Sequence, residues 1–155
     1  MSIPDQVSGE DMLRPTPVVS CLLLRMDGPE PRLCLVRRSQ HVGSYQARWA
    51  GISGFIEEGV LPEEQAYTEL REETGLQAAQ VHLLRRGTVV EHIDRELGRR
   101  WLIHPFLVEA LEPEAIQLDW EAEELRWIVP GELASLETVP KLQEVLLSAQ
   151  QGEQI

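Results

Sequence analysis

From Gly54 to Leu76 the chain has the sequence GFIEEGVLPEEQAYTELREETGL, and this stretch decides the fold that we predict. Its second part is typical of an α-helix. Pro62 suits the first turn, and the acidic Glu63 and Glu64 follow near the positive end of the helix dipole. Gly75 suits the C-terminal cap, where glycine readily adopts the left-handed conformation. The stretch therefore predicts a helix that begins near Pro62 and ends before Gly75.

Three glutamates on this predicted helix, Glu69, Glu72 and Glu73, have the spacing i, i+3, i+4, which places them along one flank. An oxygen-only cluster suits Mg²⁺ or Mn²⁺, hard cations that prefer carboxylates and water. The alternative is an open helix face, where like charges cost only a few tenths of a kcal/mol per pair and glutamates are simply solvated. In a partly buried cleft a like-charged pair ~6 Å apart costs about 3 kcal/mol at an effective dielectric of ~20, and a cation becomes nearly obligatory. The spacing alone leaves both interpretations open.

Glycines surround the predicted helix. Gly51 and Gly54 precede it, Gly59 lies in the connecting loop and Gly75 follows it. Glycine lets the backbone approach a phosphate or a metal closely and form turns that other residues resist. The N-terminal end of a helix also favours anions through its local dipole. A glycine loop, a capped helix and a glutamate trio in one short unit indicate a metal and phosphate site more specifically than each does alone.

Short apolar runs on both sides of this unit predict strands. Val18–Leu24 and Leu33–Val36 flank a turn cluster and predict a hairpin. Pro105, inside a later strand candidate, predicts an edge strand or a bulge. The later strand candidates are Val81–Leu84, Gly87–Ile93, Trp101–Val108 and Leu125–Val129, and helix is predicted after Pro130 and near Pro140–Ala149. Because strands and helices interleave without strict βαβ repetition, we predict an α/β (α+β) fold, a mixed sheet with helices on both faces.

The two ends of the chain have the weakest patterns. Residues 1–15 are polar and acidic and are predicted to be a loose leader, and residues 150–155 are predicted to be a frayed tail. A length of 155 residues matches one ordinary domain with a real core. We therefore predict a single domain over residues 1–155.

The composition excludes several classes of function. With 43% hydrophobic and 26% charged residues the chain is typical of a globular protein. Its net charge of −12 repels nucleic-acid phosphates and argues against duplex binding, although a bound cation can reverse the field locally for a small anionic substrate. No apolar run approaches the ~20 residues that cross a bilayer and no secretory signal is visible, so no membrane role and a cytoplasmic location are expected. Cys21 and Cys34 lack CxxC spacing and are predicted to be reduced core residues.

The stretch from Gly54 to Leu76 resembles the Nudix box, GX5EX7REUXEEXGU, in which U is aliphatic. The positions that match are Gly54, Glu69, Leu70, Glu72, Glu73, Gly75 and Leu76. The resemblance implies a Nudix-like α/β/α sandwich with a mixed β-sheet. It also implies a metal-dependent hydrolase that cleaves the diphosphate of a nucleoside diphosphate linked to another moiety.

By this resemblance Glu69, Glu72 and Glu73 would hold Mg²⁺ or Mn²⁺, with the backbone carbonyl of Ser53 as a further ligand, and Glu69 and Glu72 would be catalytic. Gly54 and three upstream arginines, Arg37, Arg38 and Arg48, are the candidate substrate-binding residues, since arginine can grip phosphate with two hydrogen bonds. For each arginine a solvated or ion-paired side chain is the alternative. The general base stays open among Glu69, Glu91, Glu96 and the acidic segments 112–114 and 119–124. A small nucleotide-type substrate and a possible homodimer fit the family.

Two box positions depart from the pattern. Val60 stands where the motif has its first glutamate, and Thr68 stands where it has an arginine that helps orient the adjacent catalytic glutamate. Losing groups that orient metal ligands commonly costs ~10–100-fold in metal affinity or activity, which predicts a weakened enzyme. The alternatives are a catalytically weak or inactive Nudix-fold module that binds a nucleotide or a protein partner, and an acidic interaction domain whose glutamates are solvated.

Overall fold

The computed structural model describes residues 12–155, in which one open mixed sheet lies between two helices. The strands are β1 (Arg14–Arg25), β2 (Arg32–Arg38), β3 (Trp49–Ala50), β4 (Ile52–Phe55), β5 (Val81–Arg86), β6 (Val90–Asp94), β7 (Arg99–Ala110), β8 (Ala122–Ile128) and β9 (Glu153–Gln154). The α-helices are α1 (Pro62–Thr74) and α2 (Leu142–Gln150). Short 3₁₀ turns cover Ala78–Gln80, Pro113–Ala115 and Pro130–Ser135.

The centre of the sheet is the parallel pair of β1 and β7, which runs in continuous register from Arg14↔Arg99 to Leu24↔Glu109. The end of β1 also pairs antiparallel with β2 through Leu24↔Leu33, which confirms the predicted hairpin. Strand β4 pairs antiparallel with the middle of β1, and β8 and β3 extend the sheet beyond β2. Through its pairing with β1, strand β4, which contains Gly54 and precedes the loop to α1, becomes part of the sheet.

Pro105 lies in a central strand, so the predicted edge strand is wrong. Strand β7 has β1 on one side, and on the other side it pairs first with β6, up to Ile103, and then with β5, from Phe106. Pro105 stands at the change of partner, and its carbonyl accepts a hydrogen bond from Gly87 N–H. A residue without an N–H is tolerated there because neither antiparallel ladder needs one. The irregularity in register falls on β5, between Leu83 and Arg85.

Alternate side chains of β1 fill two separate apolar clusters, one on each face of the sheet. Cys21 and Leu23 pack on the α1 side, while Leu22 and Leu24 pack on the α2 side. Helix α1 contributes Ala66 and Leu70 to the first cluster, and α2 contributes Leu142, Val145, Leu146 and Ala149 to the second. This arrangement confirms the predicted mixed sheet with helices on both faces.

The predicted core location of the two cysteines is confirmed, since Cys21 and Cys34 are both buried. The predicted leader is corrected where it can be compared, because Arg14 and Pro15 belong to β1. Residues 1–11 of that leader lie outside the described residues. Among residues 12–155 no helix has both the length and the apolarity needed to cross a bilayer.

The predicted frayed tail is wrong. Residues Glu153 and Gln154 form β9 and pair with β5, and Ile155 N–H donates to the carbonyl of Leu84 (3.0 Å). Arg85 also donates to the carbonyl of Gly152 (2.9 Å). Pairing with an open strand edge gives these polar residues a fixed place that their composition does not reveal.

Candidate active site

Helix α1 has the bounds that the sequence predicts. Pro62 occupies its first turn, and Gly75 ends it in the left-handed conformation with φ of 76°. The Gly75 N–H donates to the carbonyl of Arg71 at 2.9 Å, which satisfies one of the last carbonyls of the helix. Ala66 and Leu70 are fully buried and hold the helix against the sheet. The glutamates on the next positions are thereby fixed relative to β1 and β4.

Three carboxylates converge beside α1: Glu69 and Glu73 from the helix and Glu121 from the segment before β8. One oxygen from each lies within 4.8 Å of the other two. Glu69 is 8% exposed and Glu73 is 7% exposed, so both are taken almost entirely out of water. Among the described residues, Glu73 Oε2 is buried without a hydrogen-bond partner. A buried carboxylate oxygen without a donor, within a set of oxygen donors, fits a divalent cation such as Mg²⁺ or Mn²⁺.

The electrostatics of this cluster agree with its geometry. Burial raises the pKa of Glu73 well above its ordinary value, and the charges of Glu121 and Glu69 raise it further. Burial is also the main cause of the raised pKa of Glu69 and of Glu121. Glu72 is exposed on the flank of the helix, and its charge adds to the rise at both of those residues. A bound cation would offset the repulsion among these carboxylates.

Gly54 and Ser53, on β4, form the wall against which Glu69 packs. A Cβ added to Gly54 would overlap the carboxyl group of Glu69. Ser53 pairs with Ser20 in the sheet, and both residues line the same cleft. Glycine is required at position 54 because the backbone of β4 and the carboxyl group of α1 lie in direct contact.

A cleft of about 410 Å³ opens beside the cluster. Ser53, Gly54 and Glu121 line its acidic end, and the indole of Trp120, which is 62% exposed, also lines it. Phe55 follows Gly54 directly and is 55% exposed. Its ring centroid lies 6.1 Å from that of Trp101, with an angle of 32° between the planes. The cleft thus joins an acidic end to an aromatic wall.

The aromatic wall is held by hydrogen bonds behind it. Trp101 Nε1 donates to Tyr45 Oη (3.0 Å), and the Tyr45 hydroxyl donates to Asp94 (2.6 Å). Burial, followed by the contact with Asp94, raises the pKa of Tyr45 to about 12. The guanidinium of Arg99 lies 5.8 Å from the Phe55 ring centroid and 5.7 Å from that of Trp101. These contacts fix the wall in place before a ligand arrives.

The model of the NUDIX domain matches residues 14–149, most of the chain. The chain belongs to the Nudix family. Family membership implies hydrolysis of the pyrophosphate bond in nucleoside diphosphate derivatives, and the box that the sequence resembles is the segment that builds the acidic end of the cleft.

Solved structures share this Nudix fold. RenU, a Nudix hydrolase from M. smegmatis, superposes with a TM-score of 0.71 over 88% of each chain at 22% identity. An Ap4A hydrolase from C. elegans superposes with a TM-score of 0.73 over 87% of this chain and 95% of its own, at 14% identity. At these identities the likeness concerns the fold.

One curated protein matches part of the sequence. An octanoyltransferase from Myxococcus xanthus is 39% identical over 69 residues, which are 44% of this chain. The chain spans 18% of the length of that relative. This match is local and carries no statement about activity.

The three predicted arginines have different surroundings. Arg38 lines the cleft, where burial lowers its pKa and the charges of Glu73 and Glu121 oppose that fall. Arg37, the neighbouring residue on β2, points to the other face and lies 3.4 Å from Glu123 and 3.5 Å from Glu124. Arg48 is exposed and donates to the carbonyl of Thr138 at 3.3 Å. The fold brings Arg38 to the acidic cluster and places Arg37 and Arg48 outside the cleft.

Sequence reasoning assigned Glu121 only to a group of possible general bases, and it did not place this residue with the helix glutamates. The two segments meet because β8 pairs with β2, which carries the residues before β8 across the end of α1. The available pattern was an isolated acidic run around Trp120, with no spacing that ties it to the box. Gln65, a buried neighbour of Glu69 on the same helix, was also missed.

Proposed function

We propose that this Nudix chain is a divalent-metal-dependent hydrolase that cleaves the diphosphate of a nucleoside diphosphate linked to another moiety. The observation that carries the proposal is the buried Glu69–Glu73–Glu121 cluster, with an unpartnered oxygen on Glu73, at one end of a cleft with an aromatic wall. The acidic end suits a metal and diphosphate, and the aromatic wall suits a nucleobase.

Glu69, Glu73 and Glu121 would hold Mg²⁺ or Mn²⁺, with Glu72 and the Ser53 carbonyl at the edge of the site. A bound divalent ion supplies neutralisation of phosphate charge and a more acidic water molecule. Glu121 lines the cleft at the open side of the cluster, so it is the one of these three carboxylates that would also face the substrate. Glu69 and Glu73, which are buried, would bind the metal ion.

The chain's other cleft residues would bind the rest of the substrate. Arg38 faces Glu73 and Glu121 and would place its guanidinium against a phosphate oxygen. Gly54 lines the cleft beside Glu69, so its backbone would lie close to the bound diphosphate. Phe55 offers an exposed ring face for an aromatic base, backed by Trp101 and Arg99.

The test is product release from a panel of nucleoside diphosphate derivatives, with Mg²⁺, with Mn²⁺ and with EDTA. Glu72→Gln and Glu73→Gln are the test variants, and Glu144→Gln, an exposed glutamate of α2, is the matched control. We expect metal-dependent turnover that both test variants lose and the control keeps. Turnover that survives EDTA or Glu73→Gln would contradict the proposal.

Val60 and Thr68 support a second candidate, a Nudix-fold module that binds a nucleotide without turning it over. Both positions lack the charged side chain of the box. This function predicts metal-dependent nucleotide binding by calorimetry together with no product from any compound of the panel. The same set of proteins therefore separates the two candidates.

A further inference from the structure

Gln65 is a buried polar side chain placed directly beside Glu69. It is 3% exposed and lies one helical turn before Glu69 on α1. Its side-chain nitrogen, Nε2, donates to Glu69 Oε1 at 2.9 Å. Its side-chain oxygen, Oε1, accepts from the backbone N–H of Glu57 at 3.1 Å. The amide of Gln65 thus connects the loop between β4 and α1 to a carboxylate of the acidic cluster.

The two partners of Gln65 admit only one orientation of its amide. A backbone N–H can only donate, and an ionised carboxylate can only accept, so the amide oxygen must face Glu57 and the amide nitrogen must face Glu69. The loop is itself fixed, because Ile56 N–H donates to the Pro17 carbonyl of β1 and Val60 N–H donates to the Glu57 carbonyl, both at 3.0 Å. Glu69 is therefore held relative to the sheet through Gln65.

Thr68 cannot take this part. Its hydroxyl donates to the carbonyl of Glu64 at 3.1 Å, within the helix and on the exposed side. Thr68 therefore does not supply the contact with Glu69 that the arginine of the box would supply. The amide that donates to the Glu69 carboxylate is that of Gln65.

We propose that Gln65 is the positioning residue for Glu69, a neutral amide that replaces the orienting contact of the arginine absent at position 68. The inference rests on the proposed function for its catalytic readout, but metal binding can test it without any turnover. It explains how a box with Val60 and Thr68 retains an ordered metal ligand. An amide supplies direction without adding positive charge, so it substitutes for one part of the arginine's role.

The test measures Mn²⁺ binding, by the electron paramagnetic resonance of free Mn²⁺, in wild type and Gln65→Met. Methionine has a similar length and favours helix but cannot donate to Glu69. We expect the Kd for Mn²⁺ to rise by ~10–100-fold, the cost typical of losing a group that orients a ligand. Where turnover is found, kcat should fall by a similar factor while KM changes less. Gln143→Met, at an exposed position on α2, is the control and should bind Mn²⁺ as wild type does.

Thr68→Arg tests whether the two positions share one role. We expect it to restore at least ~10-fold of the Mn²⁺ affinity lost in Gln65→Met and to change wild type by a much smaller factor. Equal effects in the two backgrounds would overturn the shared role. A Gln65→Met protein with wild-type circular dichroism and wild-type Mn²⁺ affinity would overturn the proposal itself. If Gln65→Met does not fold, Gln65→Ala is measured in its place, with the same two outcomes.

If wild type binds Mn²⁺ but hydrolyses nothing, the proposed function fails. The role of Gln65 is then still decided by the Kd for Mn²⁺ of Gln65→Met. Should wild type not bind Mn²⁺ at all, both fail together. The two failures are therefore distinguishable.

Discussion

The carboxyl group of Glu69 occupies the space that a side chain on Gly54 would need. The first glycine of the box and its first helix glutamate are thus in contact, although 14 positions lie between them along the chain. This contact explains why glycine stands at position 54, since any Cβ would displace a carboxyl group of the acidic cluster.

Gly54→Ala should therefore lower Mn²⁺ affinity by ~10–100-fold, because the added methyl moves the Glu69 carboxyl group. Calorimetric titration with Mn²⁺ measures this change. Gly131→Ala is the control, since a Cβ there meets nothing within 4 Å. Equal affinities for Gly54→Ala and wild type would show that Glu69 does not bind the metal from this position.

Glu73→Gln should stabilise the metal-free protein. Burial raises the pKa of Glu73 above its ordinary value of 4.5. A raised folded-state pKa contributes stability that is complete below the unfolded pKa and is lost as pH rises through the folded pKa. The variant lacks this loss, so its Tm advantage over wild type in EDTA should grow as pH rises above 4.5.

Differential scanning calorimetry across that pH range checks this prediction. Glu144→Gln is the control and should show no growing advantage, because Glu144 is exposed on α2. Added Mn²⁺ should raise the Tm of wild type and leave that of Glu73→Gln unchanged. A Glu73→Gln protein that is less stable than wild type in EDTA at about pH 8 would contradict the prediction.

Phe55→Ala should raise KM for nucleotide substrates more than it lowers kcat. The exposed ring would bind the base, which stays remote from the reacting phosphorus, so its loss weakens ground state and transition state alike. Stacking of one base on an aromatic side chain contributes about 1–3 kcal/mol, which predicts a rise of about 5–150-fold in KM. Leu61→Ala, another exposed apolar residue, should leave KM as it is. A fall in kcat alone would argue against a base-binding role.

Leu70→Ala and Leu146→Ala should separate the two faces of the sheet. Both side chains are buried, in different apolar clusters, so each truncation should cost about 2–5 kcal/mol in the free energy of unfolding. Because Leu70 seats α1, its loss should also weaken Mn²⁺ binding by about tenfold. Leu146 seats α2, and its loss should not. Urea unfolding and Mn²⁺ titration of both variants test this prediction. Equal Mn²⁺ affinities of the two variants would contradict the role of Leu70 in positioning α1.

Local patterns predicted the elements that local chemistry determines. Pro62 and Gly75 mark the ends of α1 through the helix termini themselves, and the hairpin of β1 and β2 follows from two apolar runs around a turn. The two-sided burial of β1 agrees with its continuous apolar run at 18–24. In each case the residues that carry the pattern are also the residues that make the contact.

Contacts between distant segments could not be predicted in the same way. Glu121 joins Glu69 only because β8 lies beside β2, and Pro105 is tolerated only because β7 changes partner there. The tail pairs with β5 although Glu153 and Gln154 have little preference for strand. The family resemblance supplied the helix glutamates, but no spacing in the sequence connects them with their third partner.

Trp120 has a use that follows from its position beside Glu121 and from its 62% exposure. An exposed indole at the mouth of the cleft changes its emission when a nearby ligand alters its contact with water. Intrinsic fluorescence should thus follow occupancy of the site in real time, without a label or a coupled assay. Subtracting the signal of a Trp120→Phe protein would remove the fluorescence of Trp49, Trp101 and Trp127. The remaining emission of Trp120 would then report association rates of nucleotides in stopped-flow experiments.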